Sequence, residues 1–185
     1  MSYRLDHTAF RVKDRTKAAQ FFIDSMNYKI QTEFDINFED GSIAKCLALE
    51  PPEKGDNYLW QYKENHVYSN TPNIYHLPSE IFISDGSPGS IVDNWVEERI
   101  KGGGSFLHHV AYQVEHIEDV VSLWKNNNWA EFATDHVLQC EGLKQIFTKP
   151  HPLLGHIIEL IERKHQGFCK DNVQKLMQSS INENR

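Results

Sequence analysis

A short stretch of this sequence occurs twice, and each copy carries a histidine at the same place. Residues 5–12 read LDHTAFRV and residues 107–114 read LHHVAYQV, so His7 and His109 are equivalent. An internal repeat predicts two similar structural units that pack against each other. Histidine is a common metal ligand, so two equivalent histidines that meet at one point would form part of a metal site.

A glutamate late in each unit could complete this site. Side chains alternate along a strand, so within residues 156–161 Glu159 shares one face with two branched apolar residues. A carboxylate buried there needs a cation or a proton. In the first unit the corresponding residue is Glu80, which shares a face with Phe82. Two histidines with Glu159 and Glu80 would suit Fe(II), Mn(II), Co(II), Ni(II) or Zn(II).

Each of these residues also has an ordinary structural interpretation. A single histidine on a strand is usually a half-buried residue, Glu80 could lie at a strand edge in solvent, and Glu159 could pair with Arg163. The equivalence of the two repeat histidines favours the metal site, because unrelated histidines seldom fall at equivalent positions. Alternation should turn His108 to the strand face opposite His109, so we expect His108 to have a structural role.

The order of predicted elements is similar in the two halves of the chain. In the first half we predict strands at 4–12, 28–38, 43–49 and 80–84 and helices at 15–26 and 90–100. In the second half we predict strands at 107–114, 129–133, 136–140, 143–148 and 156–161 and a helix at 117–126. These patterns indicate an α+β fold of two tandem βαβββ modules in a single domain, residues 1–185. Module one covers 1–100, module two covers 101–163, and a tail that ends in a helix covers 164–185.

Composition and charge narrow the classes of function. The 185-residue chain has a formal net charge of −7 and no basic cluster, so we expect no nucleic-acid partner. No apolar stretch has the length of a membrane span or a signal-peptide core, so we expect no membrane partner. Cys46, Cys140 and Cys169 are widely spaced and form no CxxC motif, which is typical of reduced thiols. We therefore expect a cytoplasmic protein.

The repeated βαβββ unit, with histidine on its first strand and glutamate on its last, resembles the vicinal oxygen chelate superfamily. This superfamily includes glyoxalase I, methylmalonyl-CoA epimerase, extradiol dioxygenases and metal-free drug-resistance proteins. The resemblance covers residues 4–163 and implies that the two units form a cup-shaped mixed sheet. It also implies a divalent metal inside the cup, a small-molecule substrate that chelates it through neighbouring oxygens and, as in many relatives, a possible homodimer.

The second half also resembles 4-hydroxyphenylpyruvate dioxygenase. Residues 145–150 read QIFTKP ahead of Glu159, and a Gly-Phe pair and an asparagine follow, as in the closing stretch of that family. The resemblance implies three ligands for Fe(II): His7, His109 and Glu159. It further implies four residues that bind substrate or belong to the lid over the site: Gln145, Phe147, Phe168 and Asn172. The alternative for the tail helix is that it is docked for stability alone.

Three departures separate this chain from that family. The dioxygenase is about twice as long, with a further, metal-free pair of units in front. Where it has a second aromatic residue beside the substrate ring, this chain has Val173, which argues against a hydroxyphenyl substrate. Glu80 stands where the dioxygenase has no ligand, although glyoxalase and epimerase relatives have one there.

The number of protein ligands separates two classes of reaction. Two histidines and Glu159 leave three positions free on a six-coordinate ion, enough for a bidentate 2-oxo acid and O2, as in non-haem iron oxygenases. If Glu80 also binds, two positions remain, and Glu80 or Glu159 could be the catalytic base. We expect an Fe(II) dioxygenase that acts on a small 2-oxo or oxygen-chelating acid. The alternatives are an isomerase or lyase of the glyoxalase or epimerase type and, third, a non-catalytic binding protein.

Overall fold

The computed structural model describes residues 3–51, 79–164 and 169–179. The strands are β1 (Arg4–Arg11), β2 (Lys29–Asn37), β3 (Ile43–Glu50), β4 (Glu80–Gly86), β5 (Leu107–Gln113), β6 (Leu138–Cys140), β7 (Leu143–Phe147) and β8 (Ile157–Arg163). The helices are α1 (Arg15–Met26), α2 (Ile91–Gly102), α3 (Ile117–Asn126) and α4 (Lys170–Ser179).

These strands form one curled mixed sheet in the order β2-β3-β4-β1-β5-β8-β7-β6. At its centre β1 and β5 pair antiparallel, while β1 pairs parallel with β4 and β5 pairs parallel with β8. The two halves therefore have the same topology and are related by an approximate twofold axis between the central strands. The predicted α+β fold, two βαβββ units in a cup with a C-terminal helix, is confirmed.

Caps set the ends of the first two helices. Asp14 accepts a hydrogen bond from the backbone N–H of Lys17 at the start of α1, and Asn27 ends that helix in the left-handed conformation, with φ 58°. Ser90 caps α2 in the same way, and Gly103, with φ 69°, ends it. Because Asn27 and Gly103 both have the left-handed backbone conformation, the chain turns sharply at each helix end and returns to the sheet.

Helices cover both faces of the sheet. On the outer face α1 packs against the first half, where Ala19 contacts the Leu47 cluster, and α3 packs against the second half through residues such as Val120. On the inner face α4 spans both halves, with Val173 in the cluster of the first half and Leu176 in that of the second. The space between α4 and the inner face is therefore where a ligand can be enclosed.

The predicted strands and helices agree with the structure within two residues at each boundary, with one exception. The strand predicted at 129–133 is wrong, because this segment makes a single bridge, between Phe132 and Thr148. Phe132 instead packs against the apolar cluster under α3, so its apolar character reflects burial outside the sheet. None of the described helices combines the length and apolar character that crossing a membrane would need.

The structure corrects the expectation for the cysteines. Cys140 in β6 and Cys169 just before α4 form a disulfide, with their Cα atoms 6.6 Å apart, while Cys46 is free and buried. The two bonded residues are 29 positions apart in the sequence, so spacing alone gave no sign of the pairing. The disulfide ties α4 to the second half of the sheet. It also removes reduced thiols as an argument for a cytoplasmic location.

Candidate metal centre

Three ligand atoms converge on the inner face of the sheet, from His7, His109 and Glu159, which we call the His–His–Glu cluster. His7 Nε2 lies 3.1 Å from His109 Nε2 and 3.3 Å from Glu159 Oε2, and His109 Nε2 lies 3.1 Å from Glu159 Oε2. All three side chains are buried. Ligand atoms about 2.1 Å from one ion and at right angles around it are about 3.0 Å apart, so this triangle has the size that one divalent ion requires.

The pairing of β1 with β5 explains why the two histidines meet. His7 is opposite Ala111, and Ala9 is opposite His109, as the approximate twofold axis requires. The small alanine side chain opposite each histidine leaves room for the two imidazole rings, whose centroids are 5.3 Å apart. Glu159 reaches the same point from β8, where it is in register with Ala111.

The structure does not bring Glu80 into this group. Among the described residues, the potential ligands that lie within 4.8 Å of one another are those of the His–His–Glu cluster. Phe82 pairs with Ala9 in β1 as Glu159 pairs with Ala111 in β5, so Phe82 is the residue equivalent to Glu159. The expectation that Glu80 is the counterpart of Glu159 is therefore wrong, because Glu80 lies two positions before the equivalent residue.

Glu80 has surroundings of its own at the start of β4. Its Oε1 accepts a hydrogen bond of 3.3 Å from Gln31 Nε2. Burial raises the pKa of Glu80 above its usual value, and the positive charges of Arg163 and His7 only partly oppose this. Glu80 is thus a half-buried carboxyl group close enough to His7 to feel its charge.

Two β-bulges place a polar side chain behind each histidine. Asp6 is an extra residue between Leu5 and His7 in the β1–β5 pairing, and His108 is the equivalent extra residue before His109. Asp6 Oδ1 lies 2.7 Å from His7 Nδ1, and His108 Nδ1 lies 2.8 Å from His109 Nδ1. Each Nδ1 is therefore engaged while each Nε2 faces the cluster, which is how metal-binding histidine rings are usually oriented.

The second bulge corrects the expectation for His108. Strict alternation would turn its side chain away from that of His109, whereas the bulge brings both side chains into one cavity. His108 Nε2 is buried and has no hydrogen-bond partner in the described part of the chain. A bulge leaves no mark in hydrophobic periodicity, and the one available signal is that polar residues, Asp6 and His108, precede both repeat histidines.

Burial and mutual contacts set the charges of the cluster. Burial lowers the pKa of His7, but hydrogen bonds with Asp6 and Glu159 outweigh it and raise that pKa to about 9. Burial also lowers the pKa of His109, and Glu159 only partly compensates. Burial alone would raise the pKa of Glu159, yet hydrogen bonds with His109 and His7 hold it well below its usual range. At neutral pH the cluster therefore holds a protonated His7, a neutral His109 and an ionised Glu159.

Metal binding is expected to release about one proton and to weaken as the pH falls. A metal at His7 Nε2 must displace the proton that a pKa of about 9 keeps there. Below that pH each unit of acidification should weaken the apparent affinity about tenfold, and above it the affinity should level off. Calorimetric titration with Mn(II) at several pH values, in buffers of different ionisation enthalpy, measures both quantities. A pH-independent affinity with no proton release would contradict this charge assignment.

A cavity opens beside the cluster, between the sheet and α4. Apolar residues form most of its wall: Ala9, Phe82, Phe147, Val173, Leu176 and Met177. Polar residues other than the cluster also line it: Arg11, Ser84, His108 and Gln145.

Two of the predicted substrate-binding residues contact the cluster. Gln145 Nε2 donates a hydrogen bond of 2.6 Å to Glu159 Oε1, and its own Oε1 is buried without a hydrogen-bond partner among the residues the structure describes. The Phe147 ring lies 4.8 Å from the His109 ring, centroid to centroid. Both side chains are therefore placed to contact a ligand of the same ion.

The two predicted lid residues are placed differently. Asn172 is buried in α4, where its Nδ2 is 3.5 Å from the carbonyl oxygen of Leu138, and it does not line the cavity. Phe168 lies outside the described residues. The neighbour of Asn172, Val173, does line the cavity together with Leu176 and Met177, so α4 forms one wall of the site.

Comparison with known proteins agrees with this architecture. Residues 4–128 match the family model of the Glyoxalase/Bleomycin resistance protein/Dioxygenase superfamily. The chain belongs to this superfamily. Its vicinal oxygen chelate fold, together with the His–His–Glu cluster, suggests a metal-dependent enzyme. A search of the curated proteins finds no match.

Solved structures that share the fold include different enzymes. A triple mutant of 4-hydroxymandelate synthase from Streptomyces coelicolor aligns with a TM-score of 0.73 and 17% identity over 99% of this chain and 55% of that one. Methylmalonyl-CoA epimerase from Mycobacterium tuberculosis aligns with a TM-score of 0.57 and 15% identity over 87% of this chain and 88% of that one. A hypothetical protein from Bacillus halodurans C-125 aligns with a TM-score of 0.58 and 21% identity over 91% of this chain and 100% of that one. This superfamily member thus spans about half of the synthase chain, and the likeness at these identities concerns the fold.

The residues of the cluster fit a divalent metal. Two imidazoles and one carboxylate are the donor set that Fe(II), Mn(II), Co(II), Ni(II) and Zn(II) accept. The engaged Nδ1 atoms would leave both Nε2 atoms for an ion, and the Gln145 hydrogen bond to Glu159 Oε1 would leave Glu159 Oε2 for it.

Proposed function

We propose that this chain is an Fe(II)-dependent dioxygenase, similar to 4-hydroxyphenylpyruvate dioxygenase, that acts on a small 2-oxo or other oxygen-chelating acid. In this proposal His7, His109 and Glu159 hold the ion. The observation that carries the proposal is that the cluster has three donors. In the first half of the sheet the residue equivalent to Glu159 is Phe82, which is apolar and cannot be a fourth donor.

The count of protein ligands supports the oxygenase class. Three protein donors leave half of the positions of a six-coordinate ion for ligands from solution, enough for both oxygens of a 2-oxo acid and for O2. When bound, the ion supplies Lewis acidity and one-electron chemistry toward oxygen. With one carboxylate in the cluster, a site holding a divalent ion has a charge of +1, which attracts an anionic acid.

The remaining residues of the site have roles in binding and shielding. Gln145 fixes the orientation of Glu159 through its amide N–H, and its amide oxygen, buried without a hydrogen-bond partner among the described residues, could accept a hydrogen bond from a substrate. Phe147 packs beside His109 and offers an apolar surface to the substrate. Helix α4 forms one wall of the cavity and shields it from water. Asn172 in this helix contacts the carbonyl oxygen of Leu138 in β6. Phe168 would belong to the same closing segment.

Oxygen consumption tests this proposal. Protein loaded anaerobically with Fe(II) is mixed with alkyl and aryl pyruvates in an oxygen electrode, and protein loaded with Zn(II) serves as the control. We expect substrate-dependent oxygen uptake with Fe(II) and none with Zn(II), because zinc has no accessible redox state. Absence of uptake with every acid, or equal behaviour of both metals, would contradict the oxygenase class.

A metal-dependent isomerase or lyase is the second candidate, and Glu80 favours it. Its carboxyl group has a raised pKa and lies on the same strand face as Phe82 and Ser84, which line the cavity. A carboxyl group of this kind is suited to moving a proton next to a metal-bound carbonyl. Exchange of the substrate α-proton in D2O without oxygen, lost in Glu80→Gln, would favour this candidate over the dioxygenase.

A further inference from the structure

The cavity has a second polar region, formed by Arg11, Ser84 and His108. We propose that this region binds an anionic group of the substrate, so that the substrate carries one anionic end at the metal and a second one here. The inference rests on the proposed function for the chelating end and adds the substrate class: 2-oxo acids with a second, distal anionic group.

The strand geometry places this region at a distance from the cluster. Along β1, the residues His7, Ala9 and Arg11 alternate onto the same face and all line the cavity. Four residues of extended strand correspond to about 13 Å between the first and last Cα atoms. Ser84 in β4 is in register with Arg11, so their side chains are neighbours on that face.

Arg11 provides the charge of this region. Arg11 is only 2% exposed, and its guanidinium carbon lies 5.7 Å from the centre of the Trp95 ring. Burial lowers the pKa of Arg11 to about 9, so the group still carries its positive charge at neutral pH. A guanidinium group in a water-poor cavity recognises carboxylate or phosphate oxygens through its planar set of N–H donors.

His108 adds a donor to the same region through the bulge on β5. Its ring lies 5.5 Å from the Trp95 ring, on which Arg11 also packs. When His109 binds a metal through Nε2, its proton is on Nδ1 and is donated to His108 Nδ1, 2.8 Å away. His108 must then carry its own proton on Nε2. That N–H is buried with no hydrogen-bond partner in the described ranges, and His108 is one of the residues that line the cavity, so the N–H is available to a ligand.

The wall between the two polar regions is apolar. Ala9, Phe82 and Phe147 lie there, and α4 adds Val173 and Met177. A substrate that fits has a short hydrocarbon or aromatic linker between the chelating oxygens and the distal anion. Without the distal anion, its linker would leave the His108 Nε2 facing apolar atoms, which costs binding energy.

Matched pairs of acids test the proposal by calorimetry on Co(II)-loaded protein under anaerobic conditions. The pairs are 2-oxoadipate against 2-oxohexanoate, and 4-carboxyphenylpyruvate against phenylpyruvate. In at least one pair we expect the acid with the second carboxylate to bind about 10- to 100-fold more tightly, the range for a charge-assisted hydrogen bond. A third acid, with a phosphonate in place of the distal carboxylate, tells which kind of anion the region prefers.

Variants connect this preference to the residues. Arg11→Met should remove the preference, Arg11→Lys should keep part of it, and His108→Phe should reduce it. Arg99→Met is the matched control, because Arg99 packs on the same Trp95 ring, 4.6 Å from its centre, without lining the cavity. The Co(II) absorption spectrum shows in each variant that the cluster is still assembled.

The outcomes separate this inference from the proposed function. Equal affinity within both pairs, with Co(II) bound, would overturn the distal anion site and leave the metal enzyme standing. Failure to bind any divalent metal would overturn the proposed function. In that case the same pairs are compared on metal-free protein, where an Arg11-dependent preference supports the distal site and its absence overturns it.

Discussion

Replacing Glu159 by glutamine is expected to weaken divalent-metal binding by about 100-fold or more. Loss of a residue behind a ligand typically costs 10- to 100-fold in metal affinity, and loss of a ligand's charge should cost at least as much. Gln145 makes the effect larger, because its Nε2 donates to the carboxylate oxygen Oε1. In Glu159→Gln the amide oxygen would accept that hydrogen bond, and the amide NH2 would turn toward the ion.

Glu80→Gln is the matched control for this experiment. This substitution makes the same chemical change in β4, which pairs parallel with β1 as β8 pairs with β5. Glu80 lies outside the His–His–Glu cluster. Calorimetry with Mn(II) and elemental analysis of the purified proteins should show normal metal content in Glu80→Gln and little in Glu159→Gln. Equal loss in both variants would mean that four side chains hold the ion, which would favour the isomerase or lyase candidate.

Replacing Phe82 by glutamate is expected to add a fourth ligand and to lower oxygen uptake strongly. Phe82 is in register with Ala9 as Glu159 is in register with Ala111, so a carboxylate there would approach the ion from the opposite side. Two free positions would remain, too few for a bidentate acid and O2 together, and the second carboxylate would neutralise the site. We expect tighter metal binding with a fall in oxygen uptake of about 100-fold or more.

Thermal unfolding with and without metal shows whether the new carboxylate reaches the ion. Phe82 is buried in the apolar cluster of the first half, so an unpaired glutamate there should lower the Tm of the metal-free protein. Bound Mn(II) should restore much of that loss, because a ligand that binds only the folded state stabilises it. Phe82→Leu serves as the control for lost aromatic packing. Unchanged oxygen uptake in Phe82→Glu would contradict the three-ligand proposal.

The repeat and the periodicity of the sequence were sufficient to predict most of the fold. Apolar residues at helical or alternating spacing reflect local geometry, so they can be read from neighbouring residues in the sequence. The repeat also indicated that His7 and His109 would meet, because equivalent positions in paired units approach a common axis. The alternation in β8 indicated that Glu159 would face them.

The sequence did not predict which residue would be the counterpart of Glu159. Strand register depends on pairing between distant segments, and a shift of two residues keeps a side chain on the same face while moving it about 7 Å along the strand. Alternation therefore could not distinguish Glu80 from Phe82. The β1–β4 pairing decided it, by placing Phe82 beside Ala9.

What the sequence by itself determined was the set of local structures and the three side chains that the fold brings together in the His–His–Glu cluster. The tertiary structure alone decided the bulges that bring Asp6 and His108 behind the histidines, the Cys140–Cys169 disulfide and the burial of Arg11 in the cavity. The physical reason is the same in each case. A bulge, a disulfide or a buried charge depends on which distant strands and helices pack together, and that packing leaves no periodic signal in the residues concerned.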